Sequence, residues 1–314
     1  MEQLKLAVTH ASSLLAEALL ERMAKTGIKA DSIVLLDQQQ QAGNRLSFGG
    51  TYLTVLDQHE YDYDDLTAVL LLEPDAELEN LLQHADCFVI SHFVDGHNQE
   101  IFTPGVSVLP DQPCAVKLTS AELSNLLLVV NPIHSNYAVN SLNAVNILSS
   151  AFYGKTGVDE LASQTISLLN SQDVKSNVFP LQLAFNMIPL ESSALLEDQL
   201  TSAMQNHAMS CSVQNILVPA FHGLSIAVSL ETAERMDLQE VTDLLSEQQG
   251  IKIEQQAISP LTDCKKGSFV IITGLHQPQK DINRLQFWIV ADSVRNGLIQ
   301  NYLNMLEILL KSYL

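Results

Sequence analysis

The sequence predicts an α/β protein of two domains. Strand-like and helix-like segments alternate up to about residue 130, which is typical of a doubly wound, largely parallel sheet. The pattern then changes to longer amphipathic segments mixed with strand-like runs, which indicates an α+β domain over 131–293. A chain of 314 residues is long enough to bury two cores.

The chain opens with a β-α-β unit. Residues 4–8 predict a buried strand, 14–25 a helix with one apolar face, and 32–37 the next strand. Ser12 or Ser13 can cap this helix at its start, because serine at that position accepts a free backbone N–H. A unit of this length predicts that the first domain, 1–130, is Rossmann-like.

The rest of the first domain continues the alternation. Further strands are predicted at 51–56, 68–72, 87–90 and 126–130, with a helix at 77–84. A final helix at about 294–314 is apolar on most faces, so we expect it to pack back on the first domain.

The second domain combines helices with a mixed sheet. Helices are predicted at 158–170 and 192–206, and strands at 211–218, 226–230 and 269–273. We expect the helices to cover one face of that sheet.

Charge and composition exclude several classes of function. Acidic residues outnumber Lys and Arg by 36 to 16, a formal charge of −20, and the arginines are scattered, so nucleic-acid binding is disfavoured. No apolar run approaches the roughly 20 residues that cross a bilayer, so no membrane segment is expected. The start of the chain lacks the features of a signal peptide, and we expect a cytoplasmic protein.

Cysteine and histidine spacing gives no metal motif. The four cysteines are widely separated and contain no CxxC pair, so they are expected to be buried small side chains. His92 and His97 flank Asp95 but have no third ligand cluster, and a polar loop is the favoured interpretation. We expect no metal site.

Six segments carry motifs that resemble those of one family in the same order. They are Ala42-Gly43-Asn44-Arg45-Leu46-Ser47-Phe48, Asn131-Pro132, the stretch 157–165, Phe185-Asn186-Met187-Ile188-Pro189, Val218-Pro219-Ala220-Phe221-His222-Gly223, and the stretch 287–297. This ordered set resembles the aspartate-semialdehyde dehydrogenases. The chain is identified as a member of that family, a degenerate homologue of the Usg type. The resemblance implies a Rossmann-like domain and an α+β dimerisation domain.

The resemblance also implies where the catalytic groups would stand. In the family a buried strand leads into Asn-Pro-Asn-Cys, and the thiol begins the next helix. Aligned on Asn131-Pro132, the nucleophile position falls on His134. The substrate-binding arginine position falls on Leu217 and the base position on Leu224. His222 is two residues from Leu224, which is the same face if this segment is a strand, and is a possible substitute base.

The cofactor positions have changed as well. A dinucleotide loop needs glycines so that the backbone can approach pyrophosphate at a helix N-terminus. The resemblance places cofactor contacts at Thr9, Ala11, Ser12, Ser13, Asn131 and Asp292, and no glycine lies in 9–16. Two carboxylates, Glu73 and Asp75, follow a later strand where the family has small residues. We therefore expect no bound cofactor.

These changes predict a protein that has lost dehydrogenase chemistry. The main hypothesis is a non-catalytic binding or scaffolding homologue that forms a homodimer through its second domain, or a heteromer with an active paralogue. The alternative is a semialdehyde dehydrogenase or related oxidoreductase of altered chemistry, using His134 and His222 with NADP.

Overall fold

A computed structural model describes residues 4–93, 100–103, 110–191, 194–264, 269–278 and 281–313. The chain divides into two compact units, one of residues 1–120 with 298–314 and one of residues 121–297. The predicted class, an α/β fold with a Rossmann-like domain and a second mixed domain, is confirmed. In the part of the chain that the structure describes, no helix has the length and apolar character of a membrane span.

The first unit is built on an eight-stranded sheet. Its strands are β1 (Leu6–Val8), β2 (Ile33–Asp37), β3 (Arg45–Phe48), β4 (Thr51–Asp57), β5 (Ala68–Leu70), β6 (Phe88–Ser91), β7 (Glu100–Phe102) and β8 (Ala115–Leu118). Their order in the sheet is β3-β4-β2-β1-β5-β6-β8-β7. The pairings are parallel except for that of β3 with β4, which is antiparallel. β1 is central, so the loop that follows it lies at the carboxyl edge of a parallel sheet.

Among the described residues of this unit, the α-helices are α1 (Leu14–Met23), α2 (Ala76–Leu82) and α8 (Ile299–Tyr313). α1 begins where predicted, because the Ser13 side chain accepts the N–H of Ala16. Ahead of α8, residues 293–298 form a π-helix, so the α-helix starts later than the predicted 294.

The second unit contains a seven-stranded sheet of order β10-β11-β9-β12-β15-β14-β13. Its strands are β9 (Val139–Leu148), β10 (Ile188–Pro189), β11 (Ser210–Leu217), β12 (Leu224–Thr232), β13 (Ile251–Glu254), β14 (Val270–His276) and β15 (Arg284–Ala291). Its helices are α3 (Ala121–Tyr137), α4 (Gly154–Leu169), α5 (Ala194–Ala203), α6 (Leu238–Ser246) and α7 (Pro260–Asp263). Alternate residues of β12 are buried, which is the pattern of a sheet with one face in a core.

One part of the sequence interpretation was wrong. Residues 126–130 form no strand and Asn131-Pro132 forms no turn, because both lie inside α3. Leu123, Leu126 and Leu127 are buried together with Val130 and Ile133, a helical spacing that a short apolar run conceals. Pro132 removes one helical N–H, yet the helix continues to Tyr137.

Because of helix α3, the boundary between the two units differs from the predicted one. The sequence placed it at residue 130, whereas the contacts divide the chain at residue 120, because α3 packs with the second unit.

Candidate functional site

The loop after β1 uses its backbone donors internally. The N–H groups from Thr9 to Ser13 bond, in order, to Leu70 O (3.1 Å), Gln58 Oε1 (3.4 Å), Leu36 O (3.0 Å), Asp37 Oδ2 (2.7 Å) and His10 O (2.9 Å). A pyrophosphate bound at this edge of a Rossmann sheet is held by such N–H groups. Here each of the five already has an acceptor from the protein itself.

Asp37 brings a negative charge into this loop. Its side chain ends β2, is buried, and accepts the N–H of Ser12 at 2.7 Å and of Gln38 at 2.8 Å. Charge-assisted bonds of this kind are short and strong. The Asp37 carboxylate occupies a backbone N–H donor that a phosphate would need, and its negative charge would repel the phosphate.

His10 retains a backbone conformation that favours glycine. Its φ is +48°, in the left-handed region, and its side chain is buried. The imidazole Nε2 lies 3.5 Å from Gln58 Nε2 and 3.8 Å from Asp75 Oδ2. The backbone at His10 therefore turns as it does in a glycine loop, while the His10 side chain fills the space beside the turn.

Asp75 is the centre of this polar group. Its Oδ2 accepts a hydrogen bond from Gln58 Nε2 at 2.9 Å and lies 3.5 Å from His59 Nε2. Its Oδ1 caps α2 by accepting the N–H groups of Glu77 and Leu78. The carboxylate that the sequence placed in the cofactor path thus serves the protein's own helix and side chains.

A second polar pair joins the buried Tyr302 of α8 to the half-buried His92, which follows β6. The Tyr302 hydroxyl donates to Leu71 O at 2.9 Å, and its oxygen accepts from His92 Nδ1 at 3.0 Å. Burial, with a smaller effect of the Lys117 charge, lowers the pKa of His92 to about 4. This histidine is therefore neutral at pH 7. His97, the other histidine of the rejected metal pair, lies outside the described residues.

In the second unit, the positions that the resemblance assigns to the family's arginine and base lie in one apolar row. Neighbouring strands place Ile188, Leu217, Leu148, Leu224 and Ala291 side by side across β10, β11, β9, β12 and β15. None of the five is more than 4% exposed. Leu148 lies between the two assigned positions, and the sequence reasoning did not identify it.

His134 does not begin a helix. It lies in the last turn of α3, where its Nδ1 accepts the N–H of Val139 at 3.1 Å. This bond satisfies a backbone donor at the start of β9. The placement of His134 at a strand–turn–helix nucleophile position was wrong, because the strand and turn on which it depended are helical.

The arrangement of a buried strand, a short turn and a helix occurs earlier in the chain. β8 ends at Leu118, Thr119 and Ser120 follow, and α3 begins at Ala121. Ala121 is buried against Gly297: a Cβ built on Gly297 would lie 2.3 Å from the Ala121 Cβ. The two backbones approach so closely that only glycine fits at 297. If residues 121–137 had been predicted as one long helix, Ala121 would have been identified at its start.

His222 is not a strand residue. β11 ends at Leu217 and β12 begins at Leu224, so His222 lies in the exposed loop between them. The alternation argument that placed it on the face of Leu224 therefore does not apply.

Asn131 and Asp292 have local roles. The Asn131 carbonyl accepts the hydroxyl of Ser135 within α3. The Asp292 Oδ1 accepts the N–H groups of Val294 and Arg295 at 3.0 and 2.9 Å, which caps the π-helix.

The motif at 157–165 also serves the fold. Glu160 accepts the N–H groups of Asn177 and Val178, and Gln164 Oε1 accepts those of Leu183 and Ala184. These side chains hold the segment between α4 and β10. Within the described residues, no group of three His, Cys, Asp or Glu side chains is arranged to hold a metal ion.

Comparison with known proteins gives the same ancestry. Residues 130–296 match the family model "Semialdehyde dehydrogenase, dimerisation domain". A USG-1 protein homolog of Pseudomonas aeruginosa is 28% identical, covering 100% of this chain and 99% of the relative. Aspartate-semialdehyde dehydrogenase 2 of Vibrio cholerae is 24% identical over 99% of both chains.

The fold is similar over its full length to a solved structure. The crystal structure of Vibrio cholerae aspartate semialdehyde dehydrogenase II complexed with ASA has a TM-score of 0.85, with 24% identity and 100% coverage of both chains. The match of the dimerisation domain spans more than half of this sequence. The chain belongs to the semialdehyde dehydrogenase family.

Proposed function

We propose that this protein is a non-catalytic member of the family that acts as a binding or scaffolding partner. The apolar row through Leu217, Leu148 and Leu224 carries the proposal. A substrate carboxylate needs a fixed cation, and proton transfer needs a titratable side chain within hydrogen-bond reach. Leucine supplies neither.

We assign the nucleophile position to Ala121, on the strand–turn–helix arrangement that it shares with the family pattern. A methyl group cannot form the thiohemiacetal or the thioester that the family reaction requires. The nucleophile is absent on this assignment, as it is on the assignment to His134.

A dinucleotide does not fit the loop of the first unit. The N–H groups of Thr9 to Ser13 are bonded within the protein, and the buried Asp37 carboxylate lies among them. Binding NADP would require breaking those bonds and bringing phosphate beside a carboxylate. No step of a reaction is therefore assigned to a cofactor.

The open face of the second sheet supports the role of a partner surface. Gln214, Val145, Ala227, Trp288 and Thr273 lie side by side on the face opposite the apolar row. All five are partly or fully exposed. Val145, Ala227 and Thr273 are small, and small residues beside one large aromatic ring suit close packing against a second sheet. We infer a homodimer formed through this face.

Calorimetry with NADP, NAD and ATP, together with a coupled assay for NADPH formation from aspartate semialdehyde and phosphate, tests the proposal. We expect no binding and no turnover. Substrate-dependent NADPH formation that is lost in His134→Ala would overturn the proposal and establish the altered enzyme instead.

A second experiment addresses the partner. Light scattering of the purified protein is expected to give the mass of a dimer. Stable co-purification with an active semialdehyde dehydrogenase, in place of self-association, would replace the homodimer with a heteromer.

A further inference from the structure

A small cavity lies in the second unit between α3, α5 and the sheet. Its volume is about 10 Å³. Glu122 of α3, Asn146 of β9 and Val213 of β11 line it, and the remaining lining is leucine from α3 and α5. Asn146 is two residues before Leu148, so the cavity lies on the same face of the sheet as the apolar row.

Asn146 is almost wholly buried, with 1% of its surface exposed. Its Nδ2 donates to Asn215 Oδ1 at 2.9 Å, across the pairing of β9 with β11. Its Oδ1 has no hydrogen-bond partner within the protein. A buried carbonyl oxygen without a donor is costly, so native proteins nearly always supply one.

The lining determines what the cavity can accept. Two polar residues, Asn146 and Glu122, are among the residues that line it. The amide oxygen of Asn146, which lacks a partner, can only accept a hydrogen bond. The occupant must therefore donate, and the volume suits a single water.

We propose that this cavity binds one water molecule, which donates a hydrogen bond to Asn146 Oδ1. The water would lie between the centre of the sheet and helices α3 and α5. It is a structural ligand of the fold, and the inference does not depend on the loss of catalysis.

Val213→Ile tests the proposal in solution, because the added methyl group would enter the cavity. If a water is bound, the methyl displaces it and leaves Asn146 Oδ1 without a donor, so we expect the melting temperature to fall by about 2 °C or more. A dry cavity would instead be filled, and the melting temperature would rise.

Val228→Ile is the matched control. Val228 is buried in the same row of the same sheet face as Val213 but does not line the cavity. We expect Val213→Ile to melt below Val228→Ile in the otherwise natural chain. In an Asn146→Leu background, which lacks the acceptor, this difference should disappear. Equal or higher stability of Val213→Ile in the natural chain overturns the proposal.

A crystal structure provides a measurement that does not depend on the variants. At a resolution of about 1.5 Å, we expect density for one water within hydrogen-bond distance of Asn146 Oδ1. A cavity without density at that resolution overturns the proposal.

Discussion

The carboxylate of Asp37 accepts the backbone N–H of Ser12 at 2.7 Å, between the end of β2 and the loop after β1. A side chain of the protein thus takes a donor that dinucleotide-binding loops offer to phosphate. We predict that Asp37→Asn is less stable by about 1–2 kcal/mol, because the bond loses its charge.

Urea unfolding measures that loss, with the exposed Asp31→Asn as the control. Calorimetry of Asp37→Asn should still give no signal with NADP, since the loop remains bonded within the protein. Binding of NADP by this variant would show that Asp37 alone blocks the site.

Introducing the side chains that the family has at its catalytic positions should not create dehydrogenase activity. In Leu217→Arg a guanidinium would be buried beside Leu148, and an unpaired buried charge costs about 3–5 kcal/mol. We expect poor expression or a large drop in melting temperature. Leu217→Met keeps the volume and should cost less than about 1.5 kcal/mol. Turnover by Ala121→Cys combined with Leu217→Arg and Leu224→His would contradict this expectation.

His92 should make stability depend on pH. Its pKa is about 4 in the folded protein and about 6.5 in an unfolded chain, so the unfolded state binds the proton first as the pH falls. The contribution of His92 to stability is complete above about pH 6.5 and is lost as the pH falls from about 6.5 to 4. We expect His92 to account for about 2 kcal/mol of loss between pH 7.5 and pH 5.

Urea unfolding at both pH values measures this effect. His92→Gln should reduce the difference between them, whereas His84→Gln, at an exposed position, should leave it unchanged. An unaltered pH dependence in His92→Gln would show that another group is responsible.

The open sheet face predicts where a charge disrupts the dimer. Trp288→Glu replaces the large aromatic ring of the proposed contact with a carboxylate, so light scattering should report a monomer. Leu81→Glu, on an exposed position of α2 in the first unit, should leave the dimer intact. A dimeric Trp288→Glu protein would move the contact to another surface.

Gln164 should be important for folding and not for chemistry. Its amide bonds to the segment 175–184 at several points, among them the N–H groups of Leu183 and Ala184. Gln164→Leu is expected to lower the free energy of unfolding by about 2–4 kcal/mol, since several buried groups lose their partners. The exposed Gln172→Leu serves as the control.

The sequence predicts most of the fold because local patterns and tertiary structure agree there. The β-α-β opening has a serine cap, a one-sided apolar helix and two apolar strands, and each was found close to its predicted range. The family motifs additionally predict the order of the two domains along the chain.

The prediction failed at α3 because Leu126 to Val130 is apolar without interruption, and such a run suits a buried strand as well as a buried helix. Asn131-Pro132 then suggested a turn, although Pro132 is inside the helix. This error placed the nucleophile position at His134, whereas we propose Ala121. The internal partners of the cofactor loop could not be predicted, since Gln58, Asp37 and Asp75 reach it only through the three-dimensional fold.

The strained backbone of His10 has a wider consequence. A left-handed residue other than glycine costs about 1–2 kcal/mol and persists only where its surroundings hold it. The loop is therefore as preorganised as one that binds a ligand, but its ligand is part of the same chain. Tethered in this way, Asp37 and Gln58 have an effective concentration that a free dinucleotide must compete against. The loop is thus held in place by side chains of the same protein and serves as part of its scaffold.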